Sequence, residues 1–141
     1  RLAKEAVSSG KALDTFARMV KAQGGDEAVV REPSLLPGAC YTMEVKAPKA
    51  GYVEHMDTQG CGLAAVLLGA GRDKKEDQVQ ADSGIVLRRK TGDRVEKGET
   101  LAVLHTSCEE RLQAARDRLL ACYRIGPVCP PVGPHILEYI S

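Results

Sequence analysis

Apolar positions follow a helical period at the start of the chain and a strand period beyond it. Leu2, Ala3, Ala6 and Val7 recur at helical spacing until Ser8-Ser9-Gly10 interrupts them. From Lys11 to Gln23, Leu13, Phe16, Ala17 and Val20 fall at i, i+3, i+4 and i+7, which predicts a second helix with that face inward. Gly24-Gly25 supplies the left-handed backbone that closes it. Glu32-Pro33-Ser34-Leu35-Leu36-Pro37-Gly38 then reads as a linker, its two prolines and a glycine ending any regular element.

After the linker the period shortens. Tyr41, Met43 and Val45 alternate with Thr42, Glu44 and Lys46, predicting a strand over 41–47, and Pro48 turns the chain into Gly51-Tyr52-Val53. Gly60 to Gly69 is an apolar run between glycines and predicts a short buried helix. Residues 73–77 read as a mixed-charge loop. Ile85-Val86-Leu87 predicts a strand, and Leu101, Val103 and His105 mark one face of another. Ser107-Cys108-Glu109-Glu110 matches the S-x-x-E capping box, predicting a helix near 108–122 with Leu112, Ala115, Leu119 and Cys122 on one face. Gly126 to Pro134 holds four of the seven prolines, and no internal repeat is visible.

Composition removes several function classes. The net charge is +1, with six basic and five acidic residues in 1–37 and fourteen of each in 38–141. A nucleic-acid binder carries a basic excess or stripe, so that partner is excluded. No apolar run approaches the roughly 18–20 residues needed to span a membrane. Five aromatic residues and no Trp leave an aliphatic core and no stacking platform. Cys40, Cys61, Cys108, Cys122 and Cys129 form an odd set without a CxxC pair, which reads as reduced, packed thiols in a cytoplasmic protein. The chain opens on Arg1 within a helical pattern, with no signal region, and is expected to be cut from something longer.

Thr91-Gly92-Asp93-Arg94-Val95-Glu96-Lys97-Gly98-Glu99-Thr100-Leu101 is the most distinctive local run. Lipoyl and biotinyl carriers, and other barrel-sandwich hybrids, turn a corner with such a G-D-x-V-x-x-G-x-x-L pattern. Gly92 and Gly98 are expected to take turn conformations, with Val95 and Leu101 facing the core. Ala47-Pro48-Lys49-Ala50-Gly51-Tyr52-Val53 resembles the A-P-x-x-G-x-V strand pair of the same architecture. The expected fold is therefore α+β: a β-rich barrel-sandwich hybrid preceded by a short helical segment. Carrier function would need a lysine at an exposed tip, and Lys46 lies within a strand pattern instead.

The remaining candidates have bland readings. Gly69-Ala70-Gly71-Arg72 matches neither the G-x-x-x-x-G-K-[ST] nor the G-x-G-x-x-G phosphate pattern and reads as a glycine stop after a helix. His55, His105 and His135 are dispersed, and the Cys129 to His135 interval is unlike zinc spacing. Arg88-Arg89-Lys90 reads as a solvated turn. The residues alone give no catalytic, substrate-binding or metal-binding assignment.

The ordered combination resembles a known family. Gly10-Lys11-Ala12-Leu13-Asp14-Thr15-Phe16 followed by Ala22-Gln23-Gly24-Gly25-Asp26 is similar to the G-x-A-L-x-x-F and A-Q-G-G-D segments of bacterial-type pyrimidine-nucleoside and thymidine phosphorylases. Gly51-Tyr52-Val53, Leu68-Gly69-Ala70-Gly71-Arg72, Gly84-Ile85 and the Gly92 to Glu99 run follow in that family's order. The resemblance implies roughly the last third of such an enzyme. Residues 1–31 would be a helical segment ending the preceding α/β domain, 32–38 the linker and 39–141 the C-terminal barrel-sandwich domain. The implied reaction is attack of phosphate on the anomeric carbon of uridine or thymidine, giving free base and (deoxy)ribose 1-phosphate. The implied partners are the α/β lobe of its own enzyme and, in the intact family, a second copy in a homodimer. The family's S-G-R-G-x-x-x-T-G-G-T-x-D run, its phosphate segment, its base-holding residues and its monovalent-cation site lie upstream. The resemblance therefore assigns no catalytic residue, cofactor or metal to this chain, and implies a structural role, bracing the α/β lobe. The other reading is a non-catalytic carrier or interaction module of biotinyl- or lipoyl-like architecture.

Overall fold

The computed structural model describes every residue except Asp73, Val132, Pro134, His135, Leu137, Tyr139 and Ser141. The chain forms two compact units, Arg1–Gly38 and Ala39–Ser141. In the first, α1 (Leu2–Ser8), α2 (Lys11–Ala22) and α3 (Ala28–Arg31) precede a single 3-10 turn at Pro33–Leu35. The α2 helix ends because Gly24 takes φ +82° and lets the Gly25 amide donate to the Val20 carbonyl at 2.9 Å. Ala17 is buried, but Leu13, Phe16 and Met19 on the same helix stay about half exposed within this unit.

The second unit contains β1 (Tyr41–Lys46), β2 (Gly51–Met56), α4 (Thr58–Leu68), β3 (Gly84–Leu87), β4 (Arg94–Val95), β5 (Thr100–Thr106), α5 (Arg111–Ala121) and β6 (Tyr123–Gly126). These strands make two antiparallel three-stranded sheets, ordered β1-β5-β3 and β4-β2-β6. Barrel closure requires laddering all the way round. Here the β1–β5 register breaks between Val45 and Lys46, and β4 offers only two paired residues. The barrel-sandwich hybrid expected for 39–141 is thus corrected to an α+β fold with two open sheets, and 91–101 builds no carrier-like corner.

That segment instead forms two like turns six residues apart, an internal repeat the sequence pattern did not reveal. Gly92 (φ +97°) donates to the Val53 carbonyl and Gly98 (φ +85°) to the Ala47 carbonyl, each at 2.8 Å. In the first turn the Asp93 carboxylate accepts from the Lys90 amide. In the second, Glu99 accepts from the Glu96 amide, again at 2.8 Å. Each turn thus pairs a positive-φ glycine with an acidic side chain that bonds the amide three residues back.

Two apolar clusters meet along β5. Ala102 and Leu104 join Val45, Ala64, Leu68, Leu112, Ala115 and Leu119 in a helix-on-sheet core. Leu101 joins Ala47, Val53, Val95 and Ile125 in a smaller core beside the glycine turns. Successive strand residues point to opposite faces, so β5 serves both cores with adjacent residues. Its fully buried positions are Leu101, Ala102, Leu104 and Thr106, whereas Val103 and His105 are only part-buried. The expected face of Leu101, Val103 and His105 is therefore not the main core face.

Both helices of this unit start differently from expectation. The α4 helix begins at Thr58, capped by Asp57, whose carboxylate accepts from the Gly60 amide at 3.1 Å, and ends at Gly69 with φ +107°. The α5 helix begins at Arg111, and the S-x-x-E box does not form. Ser107 Oγ is instead bonded to Asp82, and the Cys108 amide donates to Thr106 Oγ1 at 3.2 Å.

Candidate functional site

The chemistry-bearing side chains divide into those fixed as scaffold and those facing an open groove. Lys46, at the end of β1, is paired with Glu44 and donates to Thr100 Oγ1 across the ladder at 2.9 Å. Hydrogen bonding from Lys46, and then its charge, hold the Glu44 carboxyl below the ordinary carboxylate range. Lys46 is thus a tethered strand residue. Arg89 forms a two-pronged ion pair with Glu99 Oε1. The Glu99 carboxyl is lowered first by the Glu96 amide and then by Arg89. The expected solvated turn at 88–90 contains this fixed guanidinium, and the Arg89 carbonyl accepts from the Tyr123 hydroxyl at 3.0 Å. Burial, its leading cause, pushes the Tyr123 phenol up to about 12.

The histidines are not gathered. His55 is exposed on β2 and His105 part-buried on β5, in different sheets; His135, with its spacing from Cys129, lies outside the described residues. Among the described residues no group of three or more His, Cys, Asp or Glu is placed to hold a metal ion. Nor is any helix among them long and apolar enough to cross a membrane. All five cysteines are free thiols. Cys61 and Cys122 interact at the seam of α4 and α5, where burial, followed by the neighbouring Cys122, pushes the Cys61 thiol up to about 11. A thiol raised that far is protonated near neutrality and a poor nucleophile.

Thr106 is the residue the sequence pattern gave no reason to select. It is a polar residue buried in the core, and its hydroxyl donates to the Leu68 carbonyl at 2.8 Å while accepting from the Cys108 amide. One hydroxyl therefore pins the end of β5 to the end of α4. Its partner lies 38 residues earlier in the chain, which no local motif encodes.

The open feature lies beside that pin. The Asp57 amide donates to the Cys122 carbonyl at 3.0 Å, so the start of α4 meets the end of α5 and the two helices run antiparallel. Gly60 permits the approach: a Cβ there would sit 2.5 Å from Cys122 Sγ. The outer side of the pair holds a groove of about 500 Å³, with Leu63, Val66 and Leu67 from α4 and Arg111 and Arg118 from α5. Gly69 closes α4 at one end of this groove, where a side chain would meet the Arg111 guanidinium at 2.7 Å. The expected glycine stop at 69–72 is therefore also the point where Arg111 crosses the helix end.

Residues 52–126 match the family model described as pyrimidine nucleoside phosphorylase C-terminal domain. The chain belongs to this family. Members of the curated set share 46% identity with it over 106 residues. They include the pyrimidine-nucleoside phosphorylases of Staphylococcus aureus strains USA300, NCTC 8325 / PS 47 and COL. That alignment covers 75% of this chain and 24% of each relative, so the chain spans about a quarter of the length of the phosphorylases it matches. The family match takes in the paired glycine turns, the Thr106 pin, both helices of the groove and β6.

Proposed function

We propose that this chain is the C-terminal structural domain of a pyrimidine-nucleoside phosphorylase. The parent enzyme would use phosphate to cleave uridine or thymidine into free base and (deoxy)ribose 1-phosphate. The groups that position phosphate and stabilise the departing base lie, on this reading, in the other three quarters of the protein. The present residues act as a brace for the α/β lobe and supply no catalytic residue. The parent would work as a homodimer in the cytoplasm, with neither nucleic acid nor membrane as partner.

The observation that carries this reading is the extent of the match: a domain-length alignment at 46% identity that occupies 24% of each phosphorylase. The state of the polar side chains agrees with a scaffold role. Lys46, Arg89, Glu99 and Thr106 are each engaged by neighbours that fix turns and strand ends. A swinging-arm carrier gains nothing from a lysine tied into a ladder.

The test is phosphate-dependent release of uracil from uridine and of thymine from thymidine. The intact phosphorylase should release base and the 141-residue chain should release none. Deleting the domain from the intact enzyme should lower both turnover and melting temperature. Release by the chain alone would overturn the assignment of chemistry to the remainder, and an unaffected deletion variant would overturn the brace.

A further inference from the structure

The α4 helix is apolar on two sides. Its sequence from Thr58 to Leu68 contains no charged residue. One side, Gly60, Ala64 and Leu68, is buried, while on the other Leu63 and Leu67 remain 46% and 45% exposed. A helix apolar all round is a helix meant to be covered all round. Leu63 and Leu67 are four residues apart and therefore lie on one stripe. Across the groove stand Arg111 and Arg118, two turns apart on α5 and so about 10 Å from each other along its axis. Neither guanidinium has a carboxylate within ion-pair distance among the described residues, whereas Arg89, Arg116 and Arg124 each have one. Asp77 also lines the groove, but its carboxylate accepts from the Lys74 amide at 2.8 Å.

We propose that this groove seats an aliphatic segment bearing carboxylates, contributed by the remaining three quarters of the phosphorylase. The inference rests on the brace reading and deepens it by naming the face and the chemistry that recognises it. Charge complementarity selects the occupant: two cations without a carboxylate partner among the described residues border an aliphatic floor, so a segment with acidic residues flanking branched apolar ones satisfies both. The chain outside this domain is ample to supply it, since the domain fills only 24% of the relatives' length. Leu63 and Leu67 would supply buried area, and Arg111 and Arg118 the register.

Hydroxyl-radical footprinting of the 141-residue chain and of the intact phosphorylase that carries it tests this directly. Oxidation of Leu63 and Leu67 should be at least fivefold lower in the intact enzyme, and the paired substitutions Arg111→Glu and Arg118→Glu should return it toward the level of the isolated chain. A control reversal at exposed Arg94, outside the groove, should leave protection unchanged. Protection that survives both groove reversals would overturn the acidic chemistry of the occupant. Protection that instead rises with the concentration of the isolated chain would identify a second copy as the occupant and sink the proposal. Equal oxidation in chain and enzyme would sink it too. In that event the deletion assay separates the cases: lost turnover on deletion keeps the brace without this groove, and unchanged turnover removes both.

Discussion

The two cores of the second unit share one strand and are built by different means. The helix-on-sheet core is held by a buried side-chain hydroxyl and a close helix seam. The Thr106 hydroxyl reaches Leu68, and α4 and α5 close on each other through Gly60, Ala64 and Ala115. The smaller core is held by backbone turns: Gly92 and Gly98 turn the chain and return its amides to Val53 and Ala47. Leu101 and Ala102, neighbours in sequence and both fully buried, face the two environments from adjacent positions. The comparison teaches that burial alone does not describe a site. What surrounds it decides how much a defect costs, and rigid helix seams relax less than turns do.

The largest expected effect follows from that difference. Leu104→Ala and Leu101→Ala remove the same atoms from the same strand at positions of equal burial. Truncating a buried leucine costs about 2–5 kcal/mol, depending on how far the cavity collapses. Leu104 lies in the core walled by α4, α5 and β1, and its loss should fall at about 4–5 kcal/mol. Leu101 lies beside turns that can settle inward, and its loss should fall at about 2–3 kcal/mol. Urea unfolding of both variants measures the gap. Equal losses, or a reversed order, would break the distinction between the cores.

A smaller effect compares the two fastenings themselves. Thr106→Val keeps the shape of the side chain and removes the hydroxyl that serves both the Leu68 carbonyl and the Cys108 amide. Leaving buried partners unsatisfied costs about 1–3 kcal/mol. Gly98→Ala places a Cβ in open space, with nothing within 4 Å, so its cost is the backbone penalty at φ +85° alone, about 1–2 kcal/mol. The threonine variant should therefore melt lower than the glycine variant. The opposite ranking in thermal unfolding would mean the turns, and not the Thr106 pin, limit stability.

This division also explains what could be read from the chain beforehand. The glycine turns, the end of α4 at Gly69 and the first strand were readable because their signals are local: a positive-φ residue, a helix stop and an alternating run. The open sheets were not. Whether six short strands close depends on register, and the break at Val45/Lys46 leaves no mark in the pattern of apolar residues. The capping-box signature at 107–110 failed because a tertiary partner, Asp82, holds the Ser107 hydroxyl instead. The groove between α4 and α5 was half visible. The uncharged run of α4 predicted burial, but only the structure shows one side of it left bare between two arginines.

The smallest effect isolates charge within the smaller core's own fastening. Glu99 accepts from the Glu96 amide and pairs with Arg89, and its carboxyl is held below the ordinary carboxylate value. A group whose pKa is depressed on folding contributes stability above its unfolded value, and that contribution disappears as pH falls through the folded one. Glu99→Gln keeps an acceptor for the Glu96 amide while removing the charge. The variant should therefore be less stable than the parent chain near neutrality. The two denaturation midpoints should converge as pH drops below the ordinary carboxylate range, because the parent then carries a neutral acid at the same position. If the Glu99 variant kept a constant deficit as pH fell until the parent's own carboxyl was protonated, its loss would come from altered packing in the turn. The ion pair with Arg89 would then contribute nothing to holding the second turn against Ala47.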